Sequence, residues 1–169
     1  TNSFTGTVDV NNGGTLNLVN TSVPTLGTLG ATSTVIFAAS SSQTIPVATY
    51  GNLTIDNATH TLAGSFSLPG TLTINAAGIL AIGDNNTLTL TGTLSGAGYI
   101  NGSSSPDPST NASFVYSSSS SGNINIGNDF HFKTFTVTNA VTLTLNDLLG
   151  AQLQINGALN WGNTNSRLD

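Results

Sequence analysis

The densest group of chemically active side chains is the run NDFHFK at positions 128–133. If the two phenylalanines of this run point inward, a strand with a period of two residues places Asp129, His131 and Lys133 together on its outer face. A carboxylate beside an imidazole can bind a metal ion or orient a catalytic base. Rows of this kind are more often solvated surface. We therefore interpret the three residues as a candidate binding site and not as a catalytic one.

Polysaccharide hydrolysis or lysis is the enzymatic alternative. Glycoside hydrolysis generally needs two carboxyl groups a few ångströms apart, and lyase chemistry needs a base together with a cation or metal. The seven acidic side chains are all aspartates, no two of which fall at positions i and i+2 of one strand, and the only strong bases are Lys133 and Arg167. The sequence thus predicts no enzyme, no catalytic residue and no cofactor.

Calcium and sugars are further candidate ligands. Gly83-Asp84-Asn85-Asn86 offers oxygen ligands, but the glycine-rich calcium repeat and the EF-hand loop are both missing, so a corner is predicted here and no metal site. Exposed aromatic rings could stack on sugars, although Tyr116 and Trp161 align with core positions. His60 lies outside any cluster and is predicted to lie at the surface.

Threonine rows of the form TxT occur at 71–73, 87–91 and 142–144, and they resemble the flat threonine arrays of solenoid ice-binding proteins. Such an array needs coils of equal length that stack Thr over Thr. The internal repeats have unequal offsets, and threonine is in any case a good outward-facing strand residue. The rows are therefore interpreted as ordinary strand surface, and an ice-binding or glycan-binding module is kept as the alternative function.

The composition limits the partners of the chain. Charged residues make up 5% of the 169 residues, and the formal net charge is −5. Nucleic acid is excluded, because neutralising phosphates takes several Lys or Arg residues on one face. With no cysteine, the fold has neither disulfides nor thiolate metal sites. No apolar run is long enough to span a bilayer, and the abundance of Thr, Ser, Asn and Gly is typical of secreted and surface proteins.

Short strands are the elements that must position these side chains. In segments 53–55, 72–74 and 80–82 the sequence is Leu-x-Ile, an alternation that predicts a strand whose Leu and Ile residues are buried. Asn or Gly follows each segment closely, and these residues tolerate a left-handed corner. A helical periodicity is missing throughout. The residues predicted to point outward are Thr54, Thr73 and Ala81.

Internal repeats extend this pattern over most of the chain. Repetition on this scale is typical of solenoids, whose coils take about 20 to 30 residues. Asn recurs directly after the strands, and stacked Asn side chains are predicted to hydrogen-bond to one another in ladders. The aligned segments are 6–20 with 70–84, 34–45 with 113–126, and 50–57 with 132–139, and the recurring asparagines are Asn11, Asn57, Asn75, Asn139 and Asn156.

The segments STVIFAASSSQTIPVATYGNLTIDN and GTLTINAAGILAIGDNNTLTL are similar to the repeats of large secreted bacterial β-helical adhesin-like proteins. The stretch LTLTGTLSGAG at 88–98 resembles the strand repeats of autotransporter passenger domains. This resemblance implies a right-handed parallel β-helix and a surface location. Segment 132–139, which aligns with segment 50–57, departs from the pattern, because it has Lys133-Thr134 in place of Gly51-Asn52.

Residues 1–169 are therefore predicted to form one all-β domain, a single right-handed parallel β-helix (β-solenoid) with irregular coil lengths and Asn/Gly corners. Residues 101–112 contain two prolines and are predicted as a loop excursion. We hypothesise that the solenoid is secreted or located at the cell surface and has a structural or adhesive role, such as that of a stalk, an adhesin segment or a filament subunit. The sequence is expected to be a mature chain or a piece of a longer one. The expected partners are other copies of itself or neighbouring repeats through the terminal coils, and a surface, a glycan or ice.

Overall fold

The chain forms a parallel β-solenoid of about six turns. The computed structural model describes residues 6–103, 110–126, 130–147, 153–161 and 167–168. This part of the chain contains no helix, and about 50% of the residues are in strands, so it also has no helix that is long and apolar enough to cross a membrane. The predicted fold class is thus confirmed.

The strands are short and follow one another closely along the chain. Within the described residues they are β1 (Thr7–Val10), β2 (Thr15–Leu18), β3 (Thr25–Leu29), β4 (Thr34–Phe37), β5 (Thr44–Ile45), β6 (Asn52–Ile55), β7 (Thr59–Leu62), β8 (Phe66–Leu68), β9 (Leu72–Ile74), β10 (Ile79–Ala81), β11 (Thr87–Leu90), β12 (Leu94–Gly96), β13 (Tyr99–Asn101), β14 (Ser113–Tyr116), β15 (Gly122–Ile126), β16 (Phe130–Val137), β17 (Thr142–Asp147), β18 (Leu153–Trp161) and β19 (Arg167–Leu168).

The strands assemble into four parallel sheets that run along the solenoid axis. Sheet A pairs β1 with β3, and sheet B has the order β2-β4-β6-β9-β12. Sheet C has the order β5-β7-β10-β13-β15-β17-β19, and sheet D the order β8-β11-β14-β16-β18. In the middle of the molecule each coil passes through sheets B, C and D in turn, so each face of the solenoid is a separate backbone hydrogen-bond ladder.

The cross-section changes along the axis. Sheet B has no described strand after β12. From there the chain returns from sheet D directly to sheet C, from β14 to β15 through residues 117–121 and from β16 to β17 through residues 138–141. The coils therefore pass from three sides to two. The two-sided coils contain longer strands, of 8 residues in β16 and 9 in β18.

The core is a set of apolar columns inside the coil. Leu53 stacks on Leu72 and Ile55 on Ile74 in neighbouring strands of sheet B. The six Leu and Ile residues predicted to point inward are at most 2% exposed, which confirms their placement. Together with their neighbours they form one continuous core cluster, and its burial is the main stabilising contribution that a chain without disulfides can draw on.

The register of Ala81 agrees with its predicted outward placement, but its side chain is 0% exposed. In sheet C it lies in register between Thr61 and Asn101. A methyl group between two larger side chains is covered by them. Thr54 and Thr73, which have longer side chains, are half-buried on the outer face of sheet B.

The corners use left-handed residues as predicted. Asn57 has φ of 58°, Asn85 of 61° and Gly83 of 84°. Each lies where the chain turns from one sheet to the next. Asn and Gly adopt this region at lower cost than other residues, so the short strands can end abruptly in tight corners.

The asparagines do not form the predicted ladder of Asn on Asn within the described residues. Asn57 donates through Nδ2 to the carbonyl oxygen of Ala38 at 3.5 Å, and Asn139 donates to that of Ser117 at 2.6 Å. Asn75 instead donates to Oδ1 of Asp56 at 3.2 Å. The side chains thus satisfy acceptors of the preceding coil, because unpaired corner carbonyls are better placed than a neighbouring amide. The side chain of Asn156 lies outside the described part.

One corner depends on closely packed glycines. A Cβ atom added to Gly70 would meet the carbonyl oxygen of Gly51 in the preceding coil, and one added to Gly92 would meet that of Gly70. The backbones approach so closely at this corner that no larger residue fits without displacement.

The aligned repeats do not share a face of the solenoid. Segment 34–45 contains β4 in sheet B, whereas segment 113–126, which aligns with it, contains β14 in sheet D. The same shift separates β6 from β16. The repeated unit is therefore a strand with its corner, together with the strand that stacks on that strand. The chain places this unit on more than one face of the solenoid.

The predicted excursion at 101–112 lies between the end of β13 and the start of β14, and residues 104–109 fall outside the described residues.

Candidate functional site

Within the predicted binding row of Asp129, His131 and Lys133, the two residues that the structure describes differ in exposure. His131 is 6% exposed and Phe132 is 1% exposed, so two consecutive side chains are buried, whereas Lys133 is exposed. A register irregularity lies between Phe132 and Thr134 where β16 pairs with β18. Such an irregularity interrupts the alternation of faces. Asp129 lies outside the described residues, so a binding role for the row stays a hypothesis.

Lys133 instead belongs to a polar chain that crosses the corner between sheets C and D. Its Nζ donates to Oδ1 of Asn111 at 2.9 Å. The backbone N–H of Asn111 donates to Oδ1 of Asp84 at 2.6 Å. Asn111 therefore connects an ammonium group and a carboxylate that lie on different coils. Because both charged groups are exposed, we assign these hydrogen bonds to shaping the corner rather than to catalysis.

Two buried polar atoms near the same corner have no hydrogen-bond partner: Oδ1 of Asn101 and Nδ1 of His131. The backbones are close here, since a Cβ atom added to Gly102 would meet the carbonyl oxygen of His131. Each unsatisfied atom costs about 1–3 kcal/mol. In the described part of the chain no group of three or more His, Asp or Glu residues could hold a metal ion.

His60 was predicted to lie at the surface, and this is wrong, because its side chain is 0% exposed. The backbone N–H of Gln43 donates to its Nδ1 at 3.0 Å, and its Nε2 lies 3.3 Å from the carbonyl oxygen of Asp56. This pattern assigns the proton to Nε2. The ring also packs at 6.2 Å from that of Phe37.

Gln43 continues this internal connection towards the first coil. Its Nε2 donates to the carbonyl oxygens of Leu18 at 3.2 Å and Asn20 at 2.7 Å. Gln43 and His60 thus link three successive coils inside the solenoid. Burial lowers the pKa of His60, and hydrogen bonds to the backbone at Asp56 and Asn57 only partly offset this effect, so the imidazole is held neutral. A neutral, fully bonded imidazole in the core is a structural group and not a catalytic base.

The remaining sequence candidates are structural. Gly83 to Asn86 form a corner, in which Nδ2 of Asn86 donates to the carbonyl oxygens of Leu62 and Ile82. Tyr116 is 0% exposed and its hydroxyl donates to the carbonyl oxygen of Ser120 at 2.7 Å, which confirms its core position. The side chain of Trp161 lies outside the described part.

Two open grooves lie on the surface of the solenoid. The larger, about 590 Å³, is between residues 21–26 and 42–47. The smaller, about 370 Å³, lies beside β12 and residues 121–123. Their linings consist of hydroxyl, amide and small apolar side chains, without a carboxylate or an imidazole. Neither groove carries groups for acid–base chemistry.

The outer face of sheet D carries columns that consist mostly of Ser and Thr side chains and run along the axis. We call these columns the D-face grid. Strand pairing places the members of the first two columns in register. The third column follows directly after the strands, where the hydroxyl of Thr138 donates to Oγ of Ser117 at 2.7 Å. The columns are Thr87, Ser113, Thr134 and Ala158; Ser67, Thr89, Val115, Thr136 and Asn160; and Thr91, Ser117 and Thr138.

Sequence reasoning missed this grid because it treated unequal coil lengths as a loss of register. The sequence separation along the grid is 21 residues between Ser117 and Thr138 and 24 residues between Thr136 and Asn160. The strands nevertheless stay in register, because the corners and loops take up the extra residues. The alternation Thr87-x-Thr89-x-Thr91 was a visible signal, but its neighbours along the axis could only be known from the pairing.

Sheet B carries a narrower set of outward columns. Thr71 lies 2.9 Å from Thr93 through their hydroxyl oxygens, and Thr73 lies 3.0 Å from Ser95. An amide, Asn52, and an isoleucine, Ile36, interrupt these columns.

Comparison of the chain with protein-family models, with curated proteins and with solved structures gives no match. Function must therefore be argued from the geometry of the molecule itself.

Proposed function

We propose that this chain is an extracellular structural or adhesive β-solenoid, such as a segment of a cell-surface stalk, an adhesin or a filament, that acts without catalysis. The observation that supports this proposal best is the set of parallel ladders along the axis, which includes the seven-stranded sheet C. Each coil adds about 4.8 Å to such a rod. A rod of this kind transmits force and displays its faces at a distance from its attachment point.

The chemistry of the surface supports the same proposal. Both grooves lack titratable side chains, His60 is neutral and internal, and charged residues are only 5% of the chain. A long, weakly charged hydroxyl surface suits contact with a solid or with a neighbouring rod better than it suits turnover of a small substrate.

The first described coil supports pairing with neighbouring repeats or with other copies. In its inward column Leu16 is half-buried, whereas Val35, Leu53 and Leu72 behind it are 0% exposed. Apolar side chains and strand edges that are partly open to solvent favour a strand partner. End-to-end contact with the next repeat or the next chain would bury Leu16.

Surface exposure on the source cells is the direct test of location. Protease treatment of intact cells, followed by mass spectrometry, is expected to release peptides of this chain, with a cytoplasmic enzyme as the negative control. Detection only after lysis would contradict the proposal.

Absence of catalysis is tested separately on a panel of polysaccharides. The purified chain is expected to give no product, and Asp129→Ala, His131→Ala and Lys133→Ala are expected to behave like the native chain. Turnover that is lost in Asp129→Ala would establish an enzyme.

A further inference from the structure

Three Asn-Gly pairs occur in the chain, at positions 12–13, 101–102 and 156–157. An asparagine that precedes glycine can react with its own backbone, because glycine has no Cβ atom to keep its amide nitrogen away from the side-chain carbonyl carbon. The structure places the three pairs differently. The first lies in the corner between β1 and β2, the second at the end of β13, and the third within β18, where the side chain of Asn156 lies outside the described part.

The corner at Asn12 and Gly13 is open and can change shape. Both residues are exposed, and neither belongs to a strand. Gly13 has φ of 75°, and a Cβ atom added to it would meet no atom within 4 Å. No sheet therefore fixes the amide group between the two residues, and the nitrogen of Gly13 can move towards the side chain of Asn12 at little cost.

Thr32, in the following coil, contacts both groups that would react. The backbone N–H of Gly13 donates to Oγ1 of Thr32 at 3.0 Å, and the backbone N–H of Thr32 donates to Oδ1 of Asn12 at 3.2 Å. Because one residue makes both contacts, the side-chain carbonyl group of Asn12 and the nitrogen of Gly13 lie on the same side of the corner. The N–H group on Oδ1 also stabilises the negative charge that develops there when the carbonyl carbon is attacked.

We propose that Asn12 is a site of spontaneous deamidation. Hydroxide from the solvent removes the amide proton of Gly13, and the nitrogen forms a bond to Cγ of Asn12. The bond between Cγ and Nδ2 breaks, and Nδ2 takes a proton from water and leaves as ammonia. Water then opens the cyclic imide at either of its carbonyl groups, so that a neutral asparagine becomes a negatively charged aspartate or isoaspartate.

The pair Asn101 and Gly102 has the same sequence but is held closed by the fold. Gly102 is buried, and a Cβ atom added to it would meet the carbonyl oxygen of His131. The carbonyl oxygen of Gly102 also accepts a hydrogen bond from the backbone N–H of Gly83 at 2.8 Å, and Oδ1 of Asn101 is buried. The backbone therefore cannot rotate into the reactive geometry without displacing two neighbouring coils, and Asn101 is expected to stay intact.

The consequence for assembly rests on the proposed function, in which the first coil pairs with another copy or repeat. Asn12 directly precedes β2, where Leu16 is half-buried. Aspartate adds a negative charge to this coil in a chain whose net charge is already −5, and isoaspartate also lengthens the backbone by a methylene group. Two such ends repel each other, and the new charge would have to be desolvated in the contact. Deamidation is thus expected to reduce end-to-end association.

The experiment follows both asparagines in one sample. The purified chain is incubated in warm, mildly alkaline buffer, digested with pepsin in acid, where deamidation is slow, and mapped by mass spectrometry with electron-transfer fragmentation, which separates isoaspartate from aspartate. In the folded chain the product at Asn12 should form at least about tenfold faster than the product at Asn101, because only the corner allows the attack. In guanidinium chloride the two rates should become similar, because the fold alone distinguishes the two pairs.

Two outcomes would overturn the site: an Asn12 that stays intact in the folded chain although it reacts in denaturant, and equal rates at Asn12 and Asn101 in the folded chain. Sedimentation velocity of fresh and incubated samples tests the consequence, with Asn12→Gln as the matched control, because glutamine closes such a ring far more slowly. The incubated native chain should associate less than the fresh one, and the variant should not change. Deamidation of Asn12 with unchanged association would establish the site and contradict the proposed pairing through the first coil.

Discussion

Buried residues that span neighbouring coils determine the stability of the chain at the residue scale. Leu72 lies between Leu53 and Leu94 in sheet B, and Gln43 with His60 connects three coils by hydrogen bonds. The apolar columns exclude water, whereas the polar pair fixes the offset of one coil on the next. Both depend on the burial of single side chains, so single substitutions should be informative.

Leu72→Ala is expected to lower the free energy of unfolding by about 2–5 kcal/mol, because a fully buried leucine leaves a cavity. Thr73→Ala on the outer face of the same strand is the matched control and should cost about 0.5 kcal/mol or less. Urea denaturation of both variants measures the difference. Equal effects would show that the two residues do not face opposite sides of the strand.

Stability is expected to fall as the solution becomes more acidic, in part through His60. Burial lowers the pKa of this group in the folded chain, so the unfolded chain binds its proton more readily. The contribution of neutral His60 is complete above the unfolded pKa of about 6.5 and is lost as pH falls from there through the lower folded pKa. Denaturation at several pH values between neutral and mildly acidic should show a smaller slope for His60→Gln than for the native chain. Identical slopes would contradict the assignment.

At the scale of elements, corners decide how the coils stack. Sequence patterns identified the short strands, their buried Leu and Ile residues and the Asn and Gly corners, because each of these depends on neighbours in the chain. They failed for the burial of His60 and Ala81, which depends on partners one coil away: Gln43 for His60, and Thr61 and Asn101 for Ala81. The D-face grid was missed for the same reason.

Gly70→Ala should destabilise the chain by about 1–3 kcal/mol, since the new methyl group would press on the carbonyl oxygen of Gly51. Gly64→Ala is the control, because its methyl group would meet only the exposed side chain of Val47. Thermal unfolding followed by circular dichroism compares them. A Gly70 variant as stable as the control would mean that this corner is not closely packed.

At the scale of the whole molecule, the ladders and the partly open first coil predict association. Sedimentation velocity over a wide concentration range should show species larger than the monomer as concentration rises. Leu16→Lys should reduce them, because a charge at a half-buried position of the first coil would have to be desolvated in an end-to-end contact. Thr54→Lys, on the side of the rod, should leave association unchanged. A strictly monomeric native chain would refute end-to-end pairing.

The central claim is that the chain is a rod in which each coil is a mechanical unit held by backbone ladders, and single-molecule force spectroscopy tests it most directly. The chain, placed between reference domains and pulled from its two ends, is expected to extend in repeated steps of about 20 residues, or about 70 Å of extended backbone. Such steps would follow from coils that detach one after another. One low-force event that releases the full length at once would contradict the account.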